Sequence, residues 1–209
     1  MKRITLFALF GVAVCRLFAQ QDIADSAHQF VDMGLPSGTK WATCNIGATK
    51  PEEYGWYVMW GSIEDCSNIT CSEITCKTYG MVLENISGDE NFDIARKQWG
   101  GQWRIPTQEE WEELISNSYT FWTTVNGVNG RLLRSTKNGN TIFLPAAGRR
   151  EGSSVSLKNQ EGRYWAATLD KKQKSSQWAA AFARVSPGVA AVIGGYWTHH
   201  VAFSVRAVQ

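Results

Sequence analysis

Three groups of residues in this chain have types that can do chemistry: a set of cysteines, a run of glutamates, and aromatics with histidines near the C-terminal end. Cys44, Cys66, Cys71 and Cys76 make an even set once Cys15 is left out. Four residues separate Cys66 from Cys71 and Cys71 from Cys76, which does not match the paired C-x-x-C of a zinc site. One or two disulfides, or thiols in a surface loop, fit better, and three full pairings are open. Glu109, Glu110, Glu112 and Glu113 could be mistaken for catalytic acids, but on one helix they read as a solvated face. Asp89, Asn91 and Asp93 begin like a calcium loop. The sixth position is Ile94 rather than Gly and the twelfth is Gly100 rather than Glu, so a helix start explains them better. The only histidines are His28, His199 and His200, and the chain holds no G-x-S-x-G, H-E-x-x-H or Walker A motif. The expectation is a protein that is not an enzyme and uses no metal or other cofactor.

What remains is surface recognition. The C-terminal part holds Tyr164, Trp165, Trp178, Tyr196, Trp197, His199 and His200. Flat aromatics stack on sugar rings or anchor a protein partner, and imidazoles hydrogen-bond beside them. Tyr164-Trp165 follows a glycine at a strand start and reads as core. Gly194 to His200 reads as an exposed turn ahead of the last strand. The candidate ligand-binding residues are Trp178, Tyr196, Trp197, His199 and His200, and the candidate partner is a glycan or a protein. Lys171-Lys172-Gln173-Lys174 reads as a solvated loop tip.

These residues need elements to hold them. Phe30 to Met33 and Lys40 to Ile46 flank a Pro/Gly turn and predict a hairpin. Tyr54 to Trp60 predicts a strand. Residues 61 to 88 have no period and predict a long loop pinned by cysteines. Phe92, Ala95 and Trp99 predict a helix over Asp89–Trp99, stopped by Gly100-Gly101. Thr107 and Glu110 form a capping box for a second helix, with Trp111, Leu114 and Ile115 as its buried stripe. Arg131–Ser135 and Thr141–Leu144 flank Asn138-Gly139, a strong hairpin signal. Gly162–Thr168, Ser176–Arg184, Val189–Ile193 and Ala202–Val208 are four further strand-like runs. Two helices followed by antiparallel strands make an α+β plan. Trp41, Trp99, Trp103 and Trp111 predict one aromatic core.

The beginning of the chain reads differently. Met1-Lys2-Arg3 precedes an apolar run, Ile4 to Val14, and Ala19 offers a cleavage site. This is the layout of a secretory signal peptide over residues 1–19, followed by a polar lead-in over 20–29 and one domain over 30–209. Bulky Val14 before Cys15 argues against a lipoprotein. No later segment is apolar over the roughly 20 residues that a membrane span needs. Without the leader, 18 basic residues face 19 acidic ones. That balance excludes a nucleic-acid binder, which needs a basic footprint. The place of action is then the cell envelope or the outside of the cell.

Four stretches together resemble one family. They are Phe30-Val31-Asp32-Met33-Gly34-Leu35-Pro36-Ser37-Gly38-Thr39-Lys40-Trp41-Ala42, Trp99-Gly100-Gly101-Gln102-Trp103-Arg104-Ile105-Pro106-Thr107, Phe143-Leu144-Pro145-Ala146-Ala147-Gly148, and Phe203-Ser204-Val205-Arg206. In that order they resemble the FISUMP family, the Fibrobacter major paralogous domain, common in exported proteins of Bacteroidetes. The resemblance spans about residues 30 to 208. It implies a C-type-lectin-like fold: two helices, twisted antiparallel sheet, and a first hairpin that meets the last strand. It implies no particular activity. Arg104-Ile105-Pro106-Thr107-Gln108-Glu109-Glu110-Trp111-Glu112 also resembles a signature of formylglycine-generating enzymes. There the motif is architectural, which implies that Arg104 and Thr107 hold a strand-to-helix junction and Trp111 packs in the core. The C-terminal cysteine pair that carries that chemistry is missing, because no cysteine follows Cys76. The Glu-Pro-Asn, Gln-Pro-Asp and Trp-Asn-Asp motifs of calcium-dependent lectins are missing too.

Overall fold

The Gly34–Gly38 turn folds the first two apolar runs onto each other. In the computed structural model, which describes residues 28–169, 180–193 and 199–209, β1 (Phe30–Asp32) pairs antiparallel with β2 (Lys40–Ala42). β2 then meets the last described residues. Lys40 and Gln209 exchange N–H···O bonds of 2.9 and 3.0 Å, and Ala42 N–H donates to Ala207 O at 2.9 Å. The run from Tyr54 to Trp60 is strand only at β3 (Val58–Met59). Upstream of it the backbone takes loop partners instead: Trp56 N–H donates to Ile46 O and Tyr57 N–H to Asp65 Oδ1. Residues 61 to 88 form no helix or named strand.

Helix α1 (Ile94–Trp99) starts later than its apolar spacing predicts. Asp93 decides the start. Its buried carboxylate accepts N–H bonds from Gly88, Ala95, Arg96 and Ile105 at 2.7 to 3.1 Å, so it both caps the helix and ties it to the next segment. Gly100, at φ 69°, ends it. Helix α2 (Gln108–Ser116) carries the expected capping box, and Trp111 and Leu114 are buried. Its acidic face corrects one expectation. Glu109 and Glu112 are exposed, but Glu110 and Glu113 are half-buried. Glu110 receives both terminal nitrogens of Arg104, at 2.5 and 2.7 Å, and the hydroxyl of Thr39. Glu113 accepts the N–H and hydroxyl of Ser37. Burial alone would raise the Glu110 pKa, but Arg104 and the Thr107 N–H hold it below the ordinary value. Two of the four glutamates therefore latch the first hairpin's turn to α2.

The rest is strand: β4 (Ser118–Val125), β5 (Val128–Ser135), β6 (Thr141–Pro145), β7 (Arg149–Glu151), β8 (Ser154–Ser156), β9 (Gly162–Leu169), β10 (Ala180–Ser186), β11 (Val189–Ile193) and β12 (Ala202–Phe203). Beside β1–β2 they form sheets in the orders β4-β5-β6, β11-β10-β9 and β3-β12-β7-β8. Every paired strand is antiparallel. The fold class is α+β, rich in sheet, with two helices among the described residues. The last strand is shorter than the run Ala202–Val208 because its partners change residue by residue. Ser204 bonds to β9, Val205 and Ala207 accept from Ile46 and Ala42, and Val208 pairs with Arg104.

β9 divides the interior. Seven of its eight residues are buried, on both faces. Trp165 and Ala167 face a core with Trp60, Trp103, Phe182 and Phe203. Tyr164 and Ala166 face a second core with Trp41, Trp111, Leu133 and Leu144. The expected single aromatic core is therefore two: Trp41 meets Trp111 at 4.5 Å, while Trp99 meets Trp103 edge-on at 5.1 Å on the other side. The motif Phe143 to Gly148 continues from β6, with Leu144 in the second core. Its carbonyls at Phe143, Pro145 and Ala147 are taken by Arg206, Tyr164 and Tyr57. That satisfies buried carbonyls at and just beyond the end of β6. Gly148, at φ 74°, has no room for a Cβ, which would lie 2.1 Å from Ser156 O. Truncating Trp103→Ala should lower stability by about 3–5 kcal/mol through the cavity left behind. Chemical denaturation measures it, and an unchanged midpoint would refute the core role.

Candidate functional site

The segment ahead of β12 is where the sequence concentrates aromatics and histidines. Trp178, Tyr196 and Trp197 lie outside the described residues, as does the Lys171–Lys174 tip. His199 and His200 are described, and they separate sharply. His199, expected at the surface, is fully buried. Its ring packs on Trp60 with centroids 4.3 Å apart, and its Nδ1 meets Thr78 O at 3.1 Å. Its carbonyl accepts the Trp60 N–H at 3.0 Å. Trp60 is fixed in turn, because its indole N–H donates to Ala166 O at 2.9 Å. The Thr78 hydroxyl also donates to Trp60 O, at 2.5 Å. Burial lowers the His199 pKa, so the ring is neutral at pH 7 and Nδ1 is the donor to Thr78 O. His199 is an anchor that ties the chain just ahead of β12 to the core.

His200 points the other way. It is half-exposed and meets the Tyr79 ring edge-on at 5.8 Å. Tyr79 is itself exposed, and the same segment exposes Ile74, Met81 and Val82. Sequence reading passed over Tyr79 because residues 61 to 88 show no period. The one available signal was an aromatic beside Cys76 and Thr78. The described edge of the candidate surface is thus Tyr79 with His200, carried on a rigid base of Trp60, Thr78 and His199.

Other polar clusters are structural. Glu161, buried, accepts Arg163 Nε and Arg184 Nε, the latter at 2.6 Å. The Arg163 guanidinium lies 5.6 Å from the Phe182 ring and 5.7 Å from the Phe203 ring. This pins the β9–β10 pair to β12. A shallow cavity is lined by His28, Gln29, Thr43, Cys44, Ala48 and Thr49. Burial raises the Cys44 pKa and its thiol donates to Ala48 O, so it is not an activated nucleophile. Cys44, Cys66, Cys71 and Cys76 are all thiols. Among the described residues, no group of three His, Cys, Asp or Glu could hold a metal ion. No helix among them is long and apolar enough to cross a membrane. Compared with protein-family models, curated proteins and solved structures, the chain has no match.

The buried His199 gives a pH prediction. Its pKa is depressed in the folded state, so the unfolded chain binds the proton more readily. Its contribution is complete above the unfolded value near 6.5 and falls as pH drops toward the folded value. As pH falls from about 7.5 to about 5.5, the share of the unfolding free energy that His199 carries should decline by at most about 1.4 kcal/mol per pH unit, followed by chemical denaturation. His199→Gln should flatten that decline. An identical decline in the variant would remove His199 as its source.

Proposed function

We propose that this chain is an exported, non-enzymatic binding domain of C-type-lectin-like fold that recognises a glycan or protein ligand in the cell envelope or outside the cell. The observation that carries it is the build of the segment ahead of β12. His199 clamps its end to Trp60 and Thr78, while His200 and Tyr79 stay at the surface. A segment rich in Tyr, Trp and His whose end is anchored at His199 suits recognition, since aromatic side chains offer large contact area at low rotamer-entropy cost. The FISUMP-like motifs and the signal-peptide layout support the fold and the export. The contact of β2 with the C-terminal segment agrees with the closed arrangement of that fold. The clusters that could have suggested catalysis have structural partners. In this reading Trp178, Tyr196, Trp197 and His200 meet the ligand, and His199 anchors the chain beside His200.

A second reading, a structural or adhesin component of the bacterial envelope, is favoured by β4. This strand is the edge of its sheet, carries no charged residue, and exposes Tyr119 and Phe121. Such an edge can pair with another chain. Concentration-dependent self-association in sedimentation, without ligand binding, would favour it.

The primary reading is tested by applying the purified chain to a glycan array and to envelope extracts, with and without calcium. The expected result is saturable binding that Trp197→Ala weakens about tenfold or more, roughly 1.4 kcal/mol, with an unchanged denaturation midpoint. Oxidation of a cysteine-containing peptide by the purified chain would overturn the non-enzymatic assignment.

A further inference from the structure

β4 ends its sheet, and its pairing with β5 fixes what it leaves open. In an antiparallel pair each residue turns its N–H and C=O to the same side, and that side alternates along the strand. Asn129 and Ser135 of β5 use theirs on the β6 side. Asn129 O accepts from Ala146 N–H at 2.8 Å, and Ser135 N–H donates to Asn140 O at 2.8 Å. The residues opposite them, Thr124 and Ser118, therefore turn their backbone groups away from β5. By alternation so do Thr120 and Trp122. Among the described residues, no other backbone segment pairs with these four.

The outer face of the same strand is apolar. Tyr119 and Phe121 are exposed, and Phe121, Leu132 and Phe143 stand in one row across β4, β5 and β6. Proteins usually blunt an open edge with charge, proline or brevity. This strand is eight residues long and has neither a charge nor a proline.

We propose that this edge takes β4 of a second copy of the chain, antiparallel about a two-fold axis at Phe121, which names the partner and register for the edge on which the envelope-component reading rests. An axis there sets Ser118 against Thr124 and Thr120 against Trp122, so all four open residues are bonded. An axis at Trp122 would set Ser118 against Asn126 in the turn, and one at Thr120 would set Thr124 against Ser116 in α2. Phe121 then faces its own copy at a non-hydrogen-bonded position, where side chains lie closest. The row of Phe121, Leu132 and Phe143 runs through the axis into its copy, and two three-stranded sheets become one of six. The ends of the edge carry opposite charge. Arg134 stands opposite Tyr119 at one end, and Glu52 accepts from Asn126 Nδ2 at 2.8 Å at the other. Antiparallel pairing brings Arg134 to the end that holds Glu52 of the second copy. The same patch serves both copies, so the contact closes as a dimer.

The test joins sedimentation of the purified chain over a wide range of concentration to cysteine crosslinking. The expected result is a reversible monomer–dimer equilibrium. Phe121→Lys, which sets two like charges across the axis, should weaken it about tenfold or more with an unchanged circular dichroism spectrum. Non-hydrogen-bonded partners have Cα atoms about 4.5 Å apart, within reach of a disulfide. Under mild oxidation Phe121→Cys should therefore give a covalent dimer. Tyr119→Cys, on the same face and more exposed, faces Thr123 of the second copy and should crosslink no more than the unsubstituted chain. A chain that stays monomeric throughout would overturn both the pairing and the envelope-component reading. A dimer that Phe121→Lys leaves intact, or one that crosslinks as readily through Tyr119→Cys, would overturn the pairing alone and place self-association on another surface.

Discussion

The buried guanidinium of Arg206 is the constraint on which the rest of this fold depends. It is fully buried, and every hydrogen-bond partner given to it is a neutral oxygen. Nε bonds to Asn45 Oδ1 at 2.9 Å, Nη1 to Ala42 O at 3.0 Å, and Nη2 to Phe143 O at 2.9 Å. Burial lowers its pKa, but an arginine stays charged in a protein. Taking a cation out of water costs several kcal/mol. Three charge-assisted bonds, each about 1.5–3 kcal/mol, offset that cost only if all three acceptors are in place. One side chain thereby fixes the end of β2, the loop at Asn45 and the β6 backbone relative to the C-terminal segment. Asn45 extends the tie, because its Nδ2 donates to Tyr54 O.

The two cores follow from this closure. With the C-terminal segment held against β2, β9 is covered on both faces, and the consecutive pair Tyr164-Trp165 must pack in opposite directions. The Phe143–Gly148 segment has its carbonyls taken by Arg206, Tyr164 and Tyr57. Tyr79 and His200 then sit at a margin of this frame. His199 is the element that makes the transition from core to surface, since its ring belongs to the first and its neighbour His200 to the second.

Much of this was legible from local chemistry. The Thr107–Glu110 capping box, the Gly100 stop and the Asn138-Gly139 hairpin formed where their residues predicted, because caps and tight turns are decided within a few residues. The same signal was present at Asn126-Gly127 and was missed. Both residues have positive φ, 48° and 81°, and they join β4 to β5 in a two-residue turn. Period alone did not reveal β4, whose exposed edge mixes Tyr119 and Phe121 with threonines. Tertiary partners account for the other departures. Asp93 shortened α1 by collecting donors from residues 88 and 105, which no helical spacing records. Glu110 and Glu113 found partners on the first hairpin. His199 was read as exposed because a Gly-rich approach suggests a turn. Nothing local announces that Trp60 and Thr78, more than a hundred residues away, will enclose it.

One buried guanidinium couples three separated segments of the fold into one frame. Hydrogen exchange in Arg206→Met tests it most directly. The account predicts that amides near Ala42 to Ile46, Phe143 to Gly148 and Phe203 to Gln209 lose protection together. The α2 amides, which rest on the Arg104–Glu110 latch, should keep more of theirs. Loss confined to residues 203–209, with the other two segments as protected as before, would contradict it.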